Sequence, residues 1–397
     1  MDKYGINESD ITSLVQTVLD QENIKDGEIT IKGTTGAGDG YTGIVIFVDA
    51  NGTKDGEKVT LNLAVKHSTT VKSQRDVMPI KGIYKTESTV YETVIPKYQN
   101  FLKEHELPLL DIFAKWYKTE INEAGETIVF DNLKVQGFEM HDVKTPMNLN
   151  HLRLLLDKYA RFHATGFAFK IKNPDEFKKI ASILNEPVYE LNKILIEYFN
   201  TFNEHLQTTL KSMNEFELVG KVKDILYEDL LLKYAHDKHS IVTHADCWNN
   251  NLIFKYKKGN THEPEEVKLL DWQVSSVGSP MIDLIQIIFL GISTEDLKNV
   301  DDLINYYYLQ FSDYLNSLGC DVQDVYPKDE FMEDWHSYAK YSTCYAPTLY
   351  AMADKDRIEM DLSDLKNIIE AFEPSKDDQV KRRTLELVKY LADKKMI

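Results

Sequence analysis

Cysteine is scarce in this chain: Cys247, Cys320 and Cys344 are odd in number and far apart. That excludes a disulfide framework and a C-x-x-C zinc site, and it points to a reducing compartment. Dense Lys/Arg clusters are missing as well; 46 basic against 64 acidic residues leave a formal net charge of -18. Such a surface repels phosphate backbones and anionic lipid, so nucleic acid is not an expected partner. No run of roughly 18 apolar residues occurs, and membrane insertion is therefore not expected either. The opening Met1-Asp2-Lys3-Tyr4-Gly5 lacks the basic-then-apolar pattern of a secretory signal. The expected location is the cytoplasm. Internal repeats and low-complexity linkers are also absent. What remains is a chain of 397 residues, 43% hydrophobic and 11% aromatic, ample for the core of one large or two modest domains.

Periodicity divides the chain in two. Leu14, Val15, Val18 and Leu19 share a helical face, with Ser9 or Asp10 available as its cap. Ile29 and Ile31 then alternate, as do Ile44, Ile46 and Val48, and Val59, Leu61, Leu63 and Val65. A glycine-rich turn and the polar turn Asn51-Gly52-Thr53-Lys54-Asp55-Gly56 separate these runs, which predicts three antiparallel strands. Helical spacing returns over 83–100, and a strand pair is expected around Phe113–Tyr117 and Thr127–Phe130. Helices are predicted over Leu152–Phe169, Glu176–Leu210 and Lys221–Ala235, interrupted by a hairpin near 252–270. The expected fold is α+β, with a small β-rich part over residues 1–135 and a larger helical part over 136–397.

The sharpest local pattern is His244-Ala245-Asp246-Cys247-Trp248-Asn249-Asn250-Asn251. It has the H-x-D-x-x-x-x-N spacing of a kinase catalytic loop, in which the Asp handles the attacking hydroxyl's proton and the Asn binds a metal. By itself a pattern this short arises often by chance. The hairpin that follows adds weight. With symmetric strands around Lys257–Glu266, Asn251 and Asp271 lie opposite each other at its open end. Directly paired residues sit about 4.5–5.5 Å apart. An amide oxygen and a carboxylate at that spacing suit magnesium. Asp271-Trp272-Gln273 then takes the place of a kinase's second metal-binding Asp.

Upstream, Lys66 ends Ala64-Val65-Lys66 on the third predicted strand, where kinases carry a phosphate-binding Lys. Glu87 falls on the inward stripe of the next helix with Ile83 and Val90. A carboxylate facing a core needs a cation unless it reaches water at the stripe's edge, and Lys66 is the natural partner. The turn containing Gly36, Gly38 and Gly40 offers backbone N–H groups to phosphates. It matches neither glycine-rich nucleotide motif cleanly, and alone it reads as an ordinary hairpin turn.

Taken with Glu87-Ser88-Thr89-Val90-Tyr91, Ala160-Arg161-Phe162-His163-Ala164 and Gly278-Ser279-Pro280-Met281-Ile282-Asp283-Leu284, these blocks resemble the ecdysteroid-kinase-like (CHK kinase-like) family. That family is related to choline kinases and aminoglycoside phosphotransferases within the protein-kinase-like superfamily, and the likeness covers nearly the whole chain. It implies a bilobal kinase-like fold and the use of ATP and Mg2+. It also implies Asp246 as catalytic base, Asn251 and Asp271 as metal ligands, and Lys66 with Glu87 as phosphate anchor. Asp283 would brace the catalytic-loop backbone. His163 reads as a packed helix residue and His244 as a loop-shaping one. Relatives often carry Glu-Asp-Leu at the inter-lobe hinge; here Asp131-Asn132-Leu133 stands there, so Asp131 and Leu133 are expected beside adenine, read mainly by backbone groups.

Trp272 to Ser279 is too short for the peptide-holding activation segment of protein kinases, so the expected partner is a small molecule with a free hydroxyl. The resemblance points to an ecdysteroid or another lipophilic alcohol, with choline-like amines and aminoglycosides as alternatives. A catalytically silent kinase fold that binds ligand is the competing reading from another class. Trp335, Tyr338, Tyr341 and Tyr345, with Tyr350 beyond, form an aromatic stripe that walls an acceptor or fills a helical core; core is the commoner fate. A monomer or weak homodimer is expected.

Overall fold

The computed structural model describes residues 6–35, 42–123, 125–235, 237–354 and 376–397. The alternating runs form β1 (Lys25–Thr34), β2 (Gly43–Lys54) and β3 (Glu57–Ser68). With β4 (Trp116–Asn122) and β5 (Gly125–Asp131) they make one antiparallel sheet of order β1-β2-β3-β5-β4. Strand β4 starts at Trp116, so Phe113 lies ahead of it and packs edge-on against Tyr91 and Phe162.

Strand periodicity sorts the sheet's side chains. Ile46, Val48, Leu63, Val65 and Val129 meet α1 (Glu8–Gln21), whose Ile11, Leu14, Val15, Val18 and Leu19 complete a separate small core. The cap of α1 is Asn7 rather than Ser9 or Asp10. Asn7 has extended backbone just before the first turn, and its side chain accepts from the Ser9 N–H at 3.1 Å. The opposite face of the sheet carries Val45, Phe47, Ala64 and Lys66 and roofs a cleft.

Residues 80–104 form one helical run, α2, assembled from Ile80–Thr89, a widened turn at Val90–Val94 and Ile95–Glu104. In the widened turn the Ile95 N–H reaches back five residues to the Val90 carbonyl. Pro96 follows at once; it has no N–H to offer and its ring crowds the preceding turn, which accounts for the loosening there.

The remainder is mostly helical around a second, larger core. It includes α3 (Leu149–Lys172), α4 (Pro174–Ser212), α5 (Phe216–Val222), α6 (Tyr227–Ala235) and α7 (Met281–Gly291). The single helix predicted over Lys221–Ala235 is in fact α5 and α6. The Asn203 amide donates to the Val222 and Ile225 carbonyls at 3.1 and 2.5 Å, taking the acceptors that a continuing helix needs. Small sheets of order β6-β8-β9 and β10-β7 carry the loops of interest; they comprise β6 (Phe138–Met140), β7 (Ile241–Thr243), β8 (Leu252–Tyr256), β9 (Pro264–Leu269) and β10 (Ser276–Gly278). The chain therefore has the bilobal, kinase-like α+β arrangement. Among the described residues no helix is long and apolar enough to cross a membrane.

The stretch after Asp271 is pressed into the larger lobe. Strand β10 pairs antiparallel with β7, and the Tyr234 hydroxyl bridges them through Thr243 Oγ1 at 2.6 Å and Ser276 Oγ at 2.7 Å. Gly278 is required for this: a Cβ there would sit 2.0 Å from the Tyr234 ring.

Candidate active site

Lys66, on β3, and Glu87, on α2, meet as the sequence predicts, Nζ to Oε2 at 2.6 Å. The same ammonium lies 2.9 Å from Asp271 Oδ1. Burial works against the charged lysine, yet the carboxylates of Asp271 and Glu87 outweigh it and hold its pKa well above the ordinary value.

Asp246 sits in the loop between β7 and β8. Its Oδ2 accepts from Asn251 Nδ2 at 2.7 Å, and its main-chain oxygen accepts from the same nitrogen at 3.0 Å. With that nitrogen engaged, the oxygen is the atom Asn251 has left to offer. Burial and the nearby negative charge of Asp271 push the Asp246 carboxyl up from 3.8 to about 7, against the pull of Asn251 and Lys66. Asp246, Asn251 and Asp271 are hard oxygen donors, and the repulsion between the two carboxylates is what a divalent cation relieves. The set fits magnesium.

The loop is held from behind. Asp283, at the start of α7, accepts the N–H groups of His244 and Ala245 at 3.0 and 2.7 Å, and Ala245 has the left-handed φ of 65°. Burial alone would raise the Asp283 carboxyl, but His163 and the loop N–H groups hold it below the ordinary range. His163 is fully buried between Asp283 and the Tyr307 hydroxyl, at 3.1 and 2.8 Å, and so braces the brace. His244 Nδ1 accepts the Asp246 N–H at 3.2 Å and Nε2 donates to the Leu270 carbonyl at 2.9 Å, tying the loop to the strand that precedes Asp271. Both histidines are structural, as expected.

The symmetric hairpin register does not hold. Leu252 pairs with Leu269, a shift occurs between Lys255 and Tyr256, and the Leu270 N–H donates to the Asn251 carbonyl at 2.8 Å. The turn closes early, with the Lys257 N–H on the Glu263 carbonyl at 3.0 Å, and Glu265 bulges out. Asn251 is therefore opposite Leu270, and Asp271 lies one residue beyond. Its left-handed φ of 62° belongs to this turn out of the ladder, and both residues still line the same cleft.

That cleft has a volume of about 270 Å³. Asp131 and Leu133 line it together with Asn132. The Asp131 carboxylate is taken up by the Lys115 N–H at 2.6 Å and the Gln136 amide at 2.5 Å, so it shapes the hinge. Gly36, Gly38 and Gly40 lie outside the described residues. Flanking them, the Thr35 N–H donates to the Val45 carbonyl at 2.8 Å, which starts the β1–β2 pairing.

Sequence reasoning missed Thr42, Tyr84 and Gln273. Thr42 and Tyr84 line the cleft, and the Gln273 amide contacts Lys66, Asp271 and Thr42. The adjacency of Gln273 to Asp271 was the one available signal. The aromatic stripe goes the commoner way: Trp335 and Tyr338 are fully buried, Trp335 stacks on Phe289, and neither lines the cleft.

Compared with known families, residues 37–320 match the model described as the ecdysteroid kinase-like family. Comparison with curated proteins gave no match.

Proposed function

Because this chain belongs to the ecdysteroid kinase-like family, a small-molecule kinase-like group, we propose that it transfers the γ-phosphate of ATP to a hydroxyl of an ecdysteroid or a similar lipophilic alcohol. One observation carries the reading: the Lys66 ammonium lies between Glu87 and Asp271, in a cleft that Asn251 also lines, and Asn251 holds Asp246. On this reading residues 1–135 hold the nucleotide and 136–397 carry the chemistry and the acceptor.

Lys66 neutralises phosphate charge, and Glu87 keeps its ammonium in place. Asp246 orients the acceptor hydroxyl and takes its proton as the oxygen bonds to phosphorus and the bond to the ADP leaving oxygen breaks. Asn251 and Asp271 would hold Mg2+, which when bound supplies charge neutralisation at the phosphates. His163 and His244 brace the loop that presents Asp246.

Asp271→Ala should weaken nucleotide binding by about tenfold or more in the presence of magnesium, measured by calorimetry. Unchanged affinity would remove Asp271 from the ligand set. A carboxyl near 7 also sets the pH behaviour. Asp246 works as carboxylate, and acid protonates it, so kcat/KM should fall as pH drops through about 7. A profile flat from about pH 6 to 8 would count against Asp246 as the base.

ATP consumption measured against ecdysteroids, choline-like amines and aminoglycosides tests the whole reading. Turnover with an ecdysteroid is expected. Turnover only with an amine or aminoglycoside moves the acceptor class, and nucleotide binding without turnover on any member marks a silent binding protein.

A further inference from the structure

The reaction as written gives Gln273 no task, yet its amide touches two residues that have one, Lys66 and Asp271. Trp272, fully buried with its Nε1–H on the Leu269 carbonyl at 3.2 Å, anchors the segment in the larger lobe. Gln273 follows, itself buried. Only one orientation of its amide pairs donors with acceptors throughout. In it the oxygen accepts from Lys66 Nζ at 3.2 Å, and the nitrogen donates to Asp271 Oδ1 and to Thr42 Oγ1, each at 3.2 Å. Thr42 stands immediately before β2, and its carbonyl accepts the Thr69 N–H at 3.0 Å.

Three elements distant in sequence therefore converge on one neutral side chain. Its neutrality matters, because the group must accept from an ammonium and donate to a carboxylate at once. A glutamate in the same shape accepts from Lys66 but has nothing to donate to Asp271, and the two charges repel. A methionine fills the space and does neither.

We propose that Gln273 is a positioning residue: its amide sets the spacing of Lys66 and Asp271 and latches the start of β2 to the segment that carries Asp271. This rests on the nucleotide reading of the cleft. It adds that the phosphate-facing ammonium and the metal-facing carboxylate are held in register by an amide, and that this amide also fixes Thr42 just ahead of β2.

The test is calorimetric titration of the full-length protein with ADP, with and without magnesium, alongside thermal unfolding. ADP needs no acceptor, so the unaltered protein answers for the nucleotide site itself. Gln273→Met should weaken Mg-ADP binding about tenfold, lose less with ADP alone, and keep its unfolding midpoint. Gln273→Glu should weaken Mg-ADP by at least as much. Thr42→Val should weaken it a few-fold, and Thr42→Val with Gln273→Met should be no weaker than Gln273→Met alone, since both cut one contact. Gln273→Met binding Mg-ADP as tightly as the unaltered protein overturns the inference. So does a loss that is equal with and without magnesium and tracks a lowered midpoint, which is the signature of packing. No ADP binding by the unaltered protein overturns the nucleotide reading and this inference with it.

Discussion

Asp246→Asn should cut turnover by about 10²–10⁴-fold and leave Mg-ATP affinity nearly unchanged. The substituted amide keeps the shape of the carboxylate and can still accept from Asn251 Nδ2, now 2.7 Å from Oδ2. The loop is secured independently, by Asp283 on the His244 and Ala245 N–H groups and by the Gln286 oxygen on the Cys247 N–H at 2.7 Å. What the variant loses is an oxygen that can take a proton. Steady-state kinetics with the best acceptor, set beside nucleotide calorimetry, separates the two effects. Full activity in this variant would leave the loop pattern without chemical meaning.

Lys66→Met should be costly in a second way. The Glu87 side chain is 2% exposed, and Lys66 is its ion-pair partner. Breaking a buried pair from one side costs about 3–5 kcal/mol, because the remaining charge lies away from water and keeps the Trp272 N–H but no cation. The variant should unfold at a clearly lower temperature as well as lose nucleotide affinity. The pH dependence gives a further check. With the cation gone, burial drives the Glu87 carboxyl above its unfolded value, so the penalty is small in acid and grows as pH rises through the folded pKa. Combining Lys66→Met with Glu87→Gln should restore much of the stability and none of the turnover. A Lys66→Met protein with an unaltered midpoint would show that Glu87 has found water or another donor.

The contrast between what the sequence disclosed and what it hid is physical. Lys66 and Glu87 were legible because each sits in a strong local period, one on an alternating strand and one on a helical stripe, and a buried carboxylate demands a cation. Asp246 and Asn251 were legible because five-residue spacing in a loop is set by covalent geometry. The opposition of Asn251 and Asp271 failed by one step, since register depends on how the turn closes, and nothing in the polar run Lys257–Glu266 marks Glu265 as the residue that bulges. The break between α5 and α6 was invisible for a related reason: the group responsible, Asn203, is about twenty residues away on another helix. Gln273 escaped because an amide carries no charge to balance and no periodicity to betray it; its task exists only where three segments meet.

The first helix has a bearing on experiment. Val65 and Lys66 are neighbours on β3, and alternation sends one side chain down to α1 and the other into the cleft. The matched region begins at residue 37, after α1 and β1 have ended. A fragment trimmed to that boundary would leave Ile46, Val48 and Val65 without their cover, and the strand that carries Lys66 into the cleft would have water on its back. The stretch that identifies the family is thus shorter than the stretch that packs behind the cleft, and versions cut at that boundary would understate what the longer chain can do.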